Sequence, residues 1–175
     1  MYEPEPDTVR RAQRGDTEAF EELVVAYLPD VHRWAVHVVR DADIAEDVTQ
    51  DTFLRAYRAL ATFRWRSKFS TWLFRITRNC AIEATRSMAR QHRLERVHPP
   101  ERSQTDPALR VAISRALDGL PDELREIFVA VEVFGFSYRE ASAILGVPTG
   151  TIKSRMHRTR KLLVEALTEE DTGEV

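Results

Sequence analysis

Apolar positions recur every three to four residues along most of the chain, and period-two alternation is rare, so the elements predicted are helices. The first spans about 16–28, with Phe20, Leu23, Val24 and Tyr27 on one face. Pro29 is expected to interrupt it, because proline lacks an amide hydrogen and its ring crowds the preceding turn. A second helix spans about 30–39, with Val31, Trp34 and Val38 inward. A third runs from about 43 to 60. Asp43 and Glu46 have capping-box spacing there, and the inward set is Ile44, Val48, Phe53, Leu54 and Tyr57. A loop over 61–70 precedes a fourth helix, about 71–88, whose apolar face holds Trp72, Leu73, Ile76 and Cys80.

The pattern is lost over 89–105, where Pro99, Pro100, Ser103 and Gln104 mark a linker. Asp106 and Pro107 then suit an N-cap and a first helical position, for a helix to about 117. Pro121, Asp122 and Glu123 open another, reaching about 134. The expected architecture is all-α: one helical domain over 1–88, a flexible linker over 89–106, a second helical domain over 107–168, and an acidic tail over 169–175. About 20 tether residues span up to ~66–72 Å when extended, more than the ~34 Å of one DNA turn.

The stretch from Ser137 to Glu165 is the most specific signal. Ser137 and Glu140 have capping-box spacing, and Ala141, Ile144 and Leu145 give the helix that follows an apolar side. Gly146 suits the left-handed residue of a tight turn, and Pro148 the first turn of the next helix. On that next helix Ile152, Met156, Thr159 and Leu163 fall on one side. Ser154, His157, Arg158 and Lys161 point the opposite way, and Lys153 and Arg155 sit on the flanks. An apolar stripe backed by hydrogen-bond donors is what a helix-turn-helix needs to read base edges and phosphates.

Composition adds little about class: 43% apolar and 31% charged residues are ordinary for a globular protein. The single cysteine, Cys80, excludes an internal disulfide. No His/Cys group has metal-ligand spacing, and no cofactor is expected. No apolar run approaches a membrane span and no signal pattern opens the chain, which predicts a cytoplasmic protein without membrane insertion. The net charge of −2 is deceptive, because it is polarised. Acids concentrate in the first 60 residues, including Asp41, Asp43, Glu46, Asp47 and Asp51. Residues 64–96 carry Arg64, Arg66, Lys68, Arg75, Arg78, Arg86, Arg90, Arg93 and Arg96 against Glu83 and Glu95. Two kinds of partner are implied: nucleic acid for the basic faces, and for the acidic one a basic protein surface, unless that face simply keeps the chain soluble.

Between residues 63 and 79, Phe63, Trp65, Phe69, Trp72 and Phe74 interleave with Arg64, Arg66, Lys68, Arg75 and Arg78. Exposed aromatics beside cations form a platform for unstacked bases, each worth roughly 1–3 kcal/mol. Trp72 and Phe74 serve equally well as core. Trp65, Arg66, Lys68 and Phe69 lie in the loop, where a functional role is favoured.

Duplex recognition and single-strand capture on one tether together describe promoter opening, and almost the whole chain resembles a bacterial RNA polymerase sigma factor of the sigma-70 family's extracytoplasmic-function (ECF) group. The segments are DIAEDVTQDTFLRAYRAL (43–60), FRWRSKFSTWLFRITRNCAIEATR (63–86) and the stretch from Leu117 to Leu163, in family order. The resemblance implies a sigma region 2 domain followed by a sigma region 4 domain. It implies that Asp47, Gln50, Asp51 and Leu54 dock on the clamp helices of core polymerase. Phe63, Trp65, Arg66, Lys68 and Phe69 then belong to a loop that captures a flipped −10 base, and Asn79, Glu83 and Arg86 to the adjoining −10 contact. Lys153, Ser154, His157 and Arg158 would read the −35 element, with Arg155, Arg160 and Lys161 on phosphates. Leu124 and Phe128 are candidates for the polymerase flap, or for core packing. Glu83 stands where the family often has aspartate, and Thr85 and Ser87 flank Arg86 where more basic residues are common. At this length an inhibitory N-terminal region, a middle domain and a C-terminal extension are not expected. By resemblance, inhibition would come from an anti-sigma partner, and the free protein would be a monomer.

Two other readings stay open at this point. A stand-alone helix-turn-helix regulator accounts for 137–165 but leaves the aromatic loop and acidic helix idle, and no dimerisation element is evident. An RNA-binding or anti-termination protein uses 63–96 but not the helix-turn-helix. No nucleophile–base pair or glycine-rich phosphate loop supports an enzyme.

Overall fold

The computed structural model describes residues 2–91, 116–117 and 119–171, and their side chains except 88–91, 167 and 169–171. Every regular element in the described residues is helical. The chain forms two compact units, residues 1–99 and 100–175. Residues 89–91, expected to open the linker, are helical; the rest of the linker, most of the helix expected over 106–117, and residues 172–175 of the tail lie outside the described residues.

The first unit packs four helices: α1 (Pro6–Gln13), α2 (Thr17–Val39), α3 (Ala42–Leu60) and α4 (Phe69–Gln91). α1 is absent from the periodicity argument, because its eight residues bury only Val9 and Ala12. α2 runs straight through Pro29 as one helix, where an interruption was expected. The reason is phase. Leu23, Tyr27, Val31 and Trp34 keep helical spacing across the proline and are buried, while Pro29 is exposed. An interior proline costs ~3 kcal/mol. Full burial of each large side chain contributes ~1.5–3 kcal/mol, so the continuous face wins.

α3 corrects two further expectations. Its N-cap is Asp41, whose carboxylate accepts from the Ile44 amide at 3.0 Å, not Asp43. Its buried positions are Ala45, Val48, Thr49, Thr52, Ala56 and Leu60. Of the inward set expected, only Val48 is fully buried; Leu54 and Tyr57 are exposed. α3 packs against both α2 and α4, so close approach selects small residues that a hydrophobicity pattern undervalues. The buried threonine hydroxyls are satisfied within the helix: Thr49 donates to Ala45 O at 2.6 Å and Thr52 to Val48 O at 2.7 Å.

The second unit holds α5 (Asp122–Phe128), which runs into a π turn over Val129–Val133, then α6 (Tyr138–Leu145) and α7 (Thr149–Asp171). In the π turn the Phe134 amide reaches back five residues to Val129 O at 3.0 Å. Phe134 and Phe136 are buried beyond it. The core joins Leu124, Ile127, Ala130, Ala141, Ile144, Leu145, Ile152 and Met156.

Candidate nucleic-acid interface

The helix-turn-helix has the geometry its residues require. Ser137 and Glu140 close a reciprocal capping box: the Ser137 hydroxyl accepts from the Glu140 amide at 3.3 Å, and the Glu140 carboxylate accepts from the Ser137 amide at 2.8 Å. Gly146 adopts φ 68° as the C-cap of α6. On α7, Ile152, Met156 and Thr159 are buried and Leu163 is half-buried. The Thr159 hydroxyl donates to Arg155 O at 2.8 Å, so its burial leaves no orphan.

Lys153, Ser154, His157, Arg158, Arg160 and Lys161 are exposed. They differ electrostatically. Arg155 pairs with Glu123 of α5 at 2.7 Å and Arg160 with Glu132 of the π turn at 2.6 Å. Both guanidinium groups are therefore already paired within the chain. Lys161 lies 3.7 Å from Glu165. Lys153, His157 and Arg158 carry no ion pair among the described residues and present unneutralised donors. Of the flap candidates, Leu124 is buried in the core and Phe128 is half-buried.

In the first unit the aromatic loop is ordered from below. Phe63 and Phe69 are buried, so neither offers an open face to a base, and Phe69 is already the first residue of α4. This corrects the expectation that both belong to an exposed platform. Phe63 packs at ring-centroid distances of 5.2 Å from Trp65, 5.2 Å from Trp72 and 6.0 Å from Phe69. A loop next to a helix bundle needs an apolar floor, and these rings supply it. What stays exposed above is Arg64, Trp65, Arg66 and Lys68. Trp65 is 43% exposed and sits at φ 57°, a left-handed backbone that costs a bulky residue ~1–3 kcal/mol.

Pattern reasoning missed the α1 region, which holds this loop in place. Gln13 donates to Leu60 O at 3.1 Å and Phe63 O at 2.9 Å, and accepts from the Trp65 indole N–H at 3.2 Å. Glu3 caps the start of α4, accepting from the Phe69 amide at 2.6 Å and the Ser70 amide at 3.3 Å. A carboxylate there faces both unpaired amides and the positive end of the helix dipole. Glu3→Gln is expected to lower the stability of the first unit by about 0.5–2 kcal/mol, read as a lower urea midpoint with unchanged slope. Both contacts span more than 45 residues of sequence, so no local spacing announces them.

Asn79, Glu83 and Arg86 are exposed at helical spacing on α4, and Asp47, Gln50 and Leu54 likewise on α3. Asp51 is half-exposed beside that stripe. Arg55 joins the two faces, placing its Nη2 2.8 Å from Asp51 and 2.8 Å from Glu83. The Arg55 hydrogen bond holds the Glu83 carboxyl below the usual carboxylate range, and Arg86 adds to this. The pair therefore contributes at neutral pH and is lost as pH falls through the lowered Glu83 value. Beside the acidic stripe lies an apolar one: Leu54 and Tyr57 are exposed, and Phe20 of α2 meets Tyr57 edge-on at 5.0 Å. Cys80 is buried against α2 and α3, and burial pushes its thiol up, away from nucleophilic use.

Residues 23–91 match the sigma-70 region 2 family, and residues 110–163 match the sigma-70 region 4 family. RNA polymerase sigma-H factor of Pseudomonas aeruginosa is 33% identical, with 94% of each chain covered. The chain belongs to the sigma-70 family. Within it the ECF group is the match: ECF RNA polymerase sigma-E factor of Salmonella typhimurium is 34% identical over 89% of this chain and 90% of its own. Among solved structures, the sigma factor RpoE of Bartonella quintana, crystallised with the anti-sigma factor NepR, superposes with a TM-score of 0.76. It is 30% identical and covers 85% of this chain and 96% of its own. This sigma factor is thus an all-α, DNA-binding transcription-initiation subunit built from region 2 and region 4 domains. No helix among its described residues is long and apolar enough to cross a membrane.

Proposed function

We propose that this ECF sigma factor binds core RNA polymerase through α3, reads a −35 element with α7 and opens the −10 element over the Trp65 loop. The observation that carries the reading is the division of exposed chemistry. An acidic and apolar stripe on α3 (Asp47, Gln50, Asp51, Leu54), an aromatic and basic loop at its C-terminal end, and a basic recognition helix lie on separate elements. Each suits one partner: basic polymerase surface, unpaired bases and duplex DNA. In the loop, Trp65, Arg66 and Lys68 are the contacting side chains, with Phe63 and Phe69 as their floor. Asn79, Glu83 and Arg86 continue that surface along α4.

The protein acts in the cytoplasm as a non-catalytic subunit, and the polymerase supplies the bond-forming chemistry. An anti-sigma factor holds it inactive, on the precedent of the Bartonella complex. In vitro transcription with purified core polymerase on fragmented genomic DNA tests the whole reading. The expected result is a set of new starts sharing two upstream elements at fixed spacing. Absence of added starts, together with absence of core binding by a folded sample, would leave a stand-alone helix-turn-helix regulator.

Arg158→Ala tests base readout. A bidentate guanine contact is worth about 1–3 kcal/mol, so affinity should fall by that amount and discrimination should relax at one −35 position. Equal loss on every promoter sequence would assign Arg158 to the phosphate backbone.

A further inference from the structure

We propose that α1 is part of the strand-capture site, with Gln13 and Arg10 acting as positioning residues that hold Trp65 ready to stack on the captured −10 base. The inference rests on the loop reading above and adds residues that precede the matched region 2 segment, which begins at residue 23.

Three observations converge. First, Trp65 takes a left-handed backbone in which only glycine and, less often, asparagine are comfortable. An indole in an open loop would relax out of it unless something held it. Second, the Gln13 side chain uses three of its four hydrogen-bonding positions on this one loop: two N–H donors on Leu60 O and Phe63 O, and its oxygen on the Trp65 indole N–H. It fixes the end of α3, the loop backbone and the ring together. Third, Arg10, one helical turn earlier on α1, places its guanidinium 5.4 Å from the Trp65 ring centroid, within cation–π range. Held from one side by Arg10 and flanked by Phe63, the ring still leaves 43% of its residue open to solvent. If Trp65 served only to pack the loop onto α1, the backbone strain would go with a buried ring. A strained backbone holding an open ring fits preorganisation, in which ordering is complete before the ligand arrives.

The test uses reconstituted holoenzyme and open-complex formation, read by permanganate reactivity of unpaired thymines. The promoters are one intact −10 element and a series with a single abasic nucleotide at each non-template position. Trp65→Ala reports on the loop reading; Gln13→Met, which keeps length and helix preference but removes the hydrogen bonds, reports on this inference. On the intact promoter Trp65→Ala should lose about 5- to 150-fold, the range for one stacked base. Gln13→Met should lose about 2- to 12-fold per hydrogen bond that matters to Trp65. At one abasic position the deficit of both variants should vanish, because the wild type has no base to capture there. A general folding defect would persist on that template, and core binding by fluorescence anisotropy should stay at the wild-type value. A Gln13→Met holoenzyme that opens the intact promoter normally while Trp65→Ala does not overturns the α1 role and leaves the loop reading standing. A Gln13→Met deficit that persists undiminished on every abasic template also overturns the α1 role. Normal opening by Trp65→Ala overturns both.

Discussion

Trp34→Ala is expected to destabilise the first unit by about 3–5 kcal/mol, the cost of truncating a fully buried tryptophan. Trp34 is 0% exposed and meets Phe74 edge-on at 5.2 Å, so its removal opens a cavity between α2 and α4. Against a domain stability of ~5–15 kcal/mol this is a large share. Each unit has its own core, the second built on residues that include Ile144, Ile152 and Met156. Calorimetry should therefore show two transitions, with only one falling, by more than ~12 °C at ~4 °C per kcal/mol. Binding to −35 duplex should survive at temperatures where binding to core polymerase is lost. A single transition that moves as a whole would show that the units unfold together.

The legible parts of this chain are those whose signal is local. The capping box at Ser137, the glycine at 146 and the stripe Ile152, Met156 and Thr159 each lie within a turn or two of the residues they act on. From Pro121 onward the described residues of the second unit accordingly have the secondary structure their spacing predicts, apart from the π turn. In the first unit, long-range packing decides. Pro29 carries the local mark of a helix end, yet the face from Leu23 to Trp34 continues through it. On α3 the buried seam is mostly alanine and threonine, with Val48 and Leu60, so a hydrophobicity pattern places the conspicuous Leu54 and Tyr57 inward although both are exposed. That inversion matters for the proposed function, because it leaves an apolar surface beside the acidic stripe proposed to meet polymerase. The aromatic loop shows the same division. Its aromatic and basic content is plain in the sequence. Which rings are floor and which is open is not, because that depends on Gln13 and Glu3 reaching across the fold.

Asp51→Arg is expected to weaken binding to core polymerase by about 30-fold or more, some 2 kcal/mol, as for truncation of one partner in an interfacial charge pair. The substitution acts in two places, and the fold allows them to be separated. Within the chain it sets a cation against Arg55, which now bridges Asp51 and Glu83 at 2.8 Å each. At the proposed interface it would oppose a basic polymerase surface. Asp51→Asn removes the attraction without repulsion and should lose less than the reversal. The double variant Asp51→Arg/Arg55→Asp restores an opposite-charge pair inside the chain but leaves a cation at position 51. If the loss arises at the interface, the double variant stays weak; recovery to wild-type affinity would place the whole effect in the contact with Arg55. Salt gives an independent check, because half-exposed charges are screened over ~8 Å at physiological ionic strength. The gap between wild type and Asp51→Arg should narrow as salt rises, chiefly through slower wild-type association. A gap indifferent to salt would point to altered packing of α3, and unchanged affinity of Asp51→Arg at low salt would remove this helix from the polymerase interface.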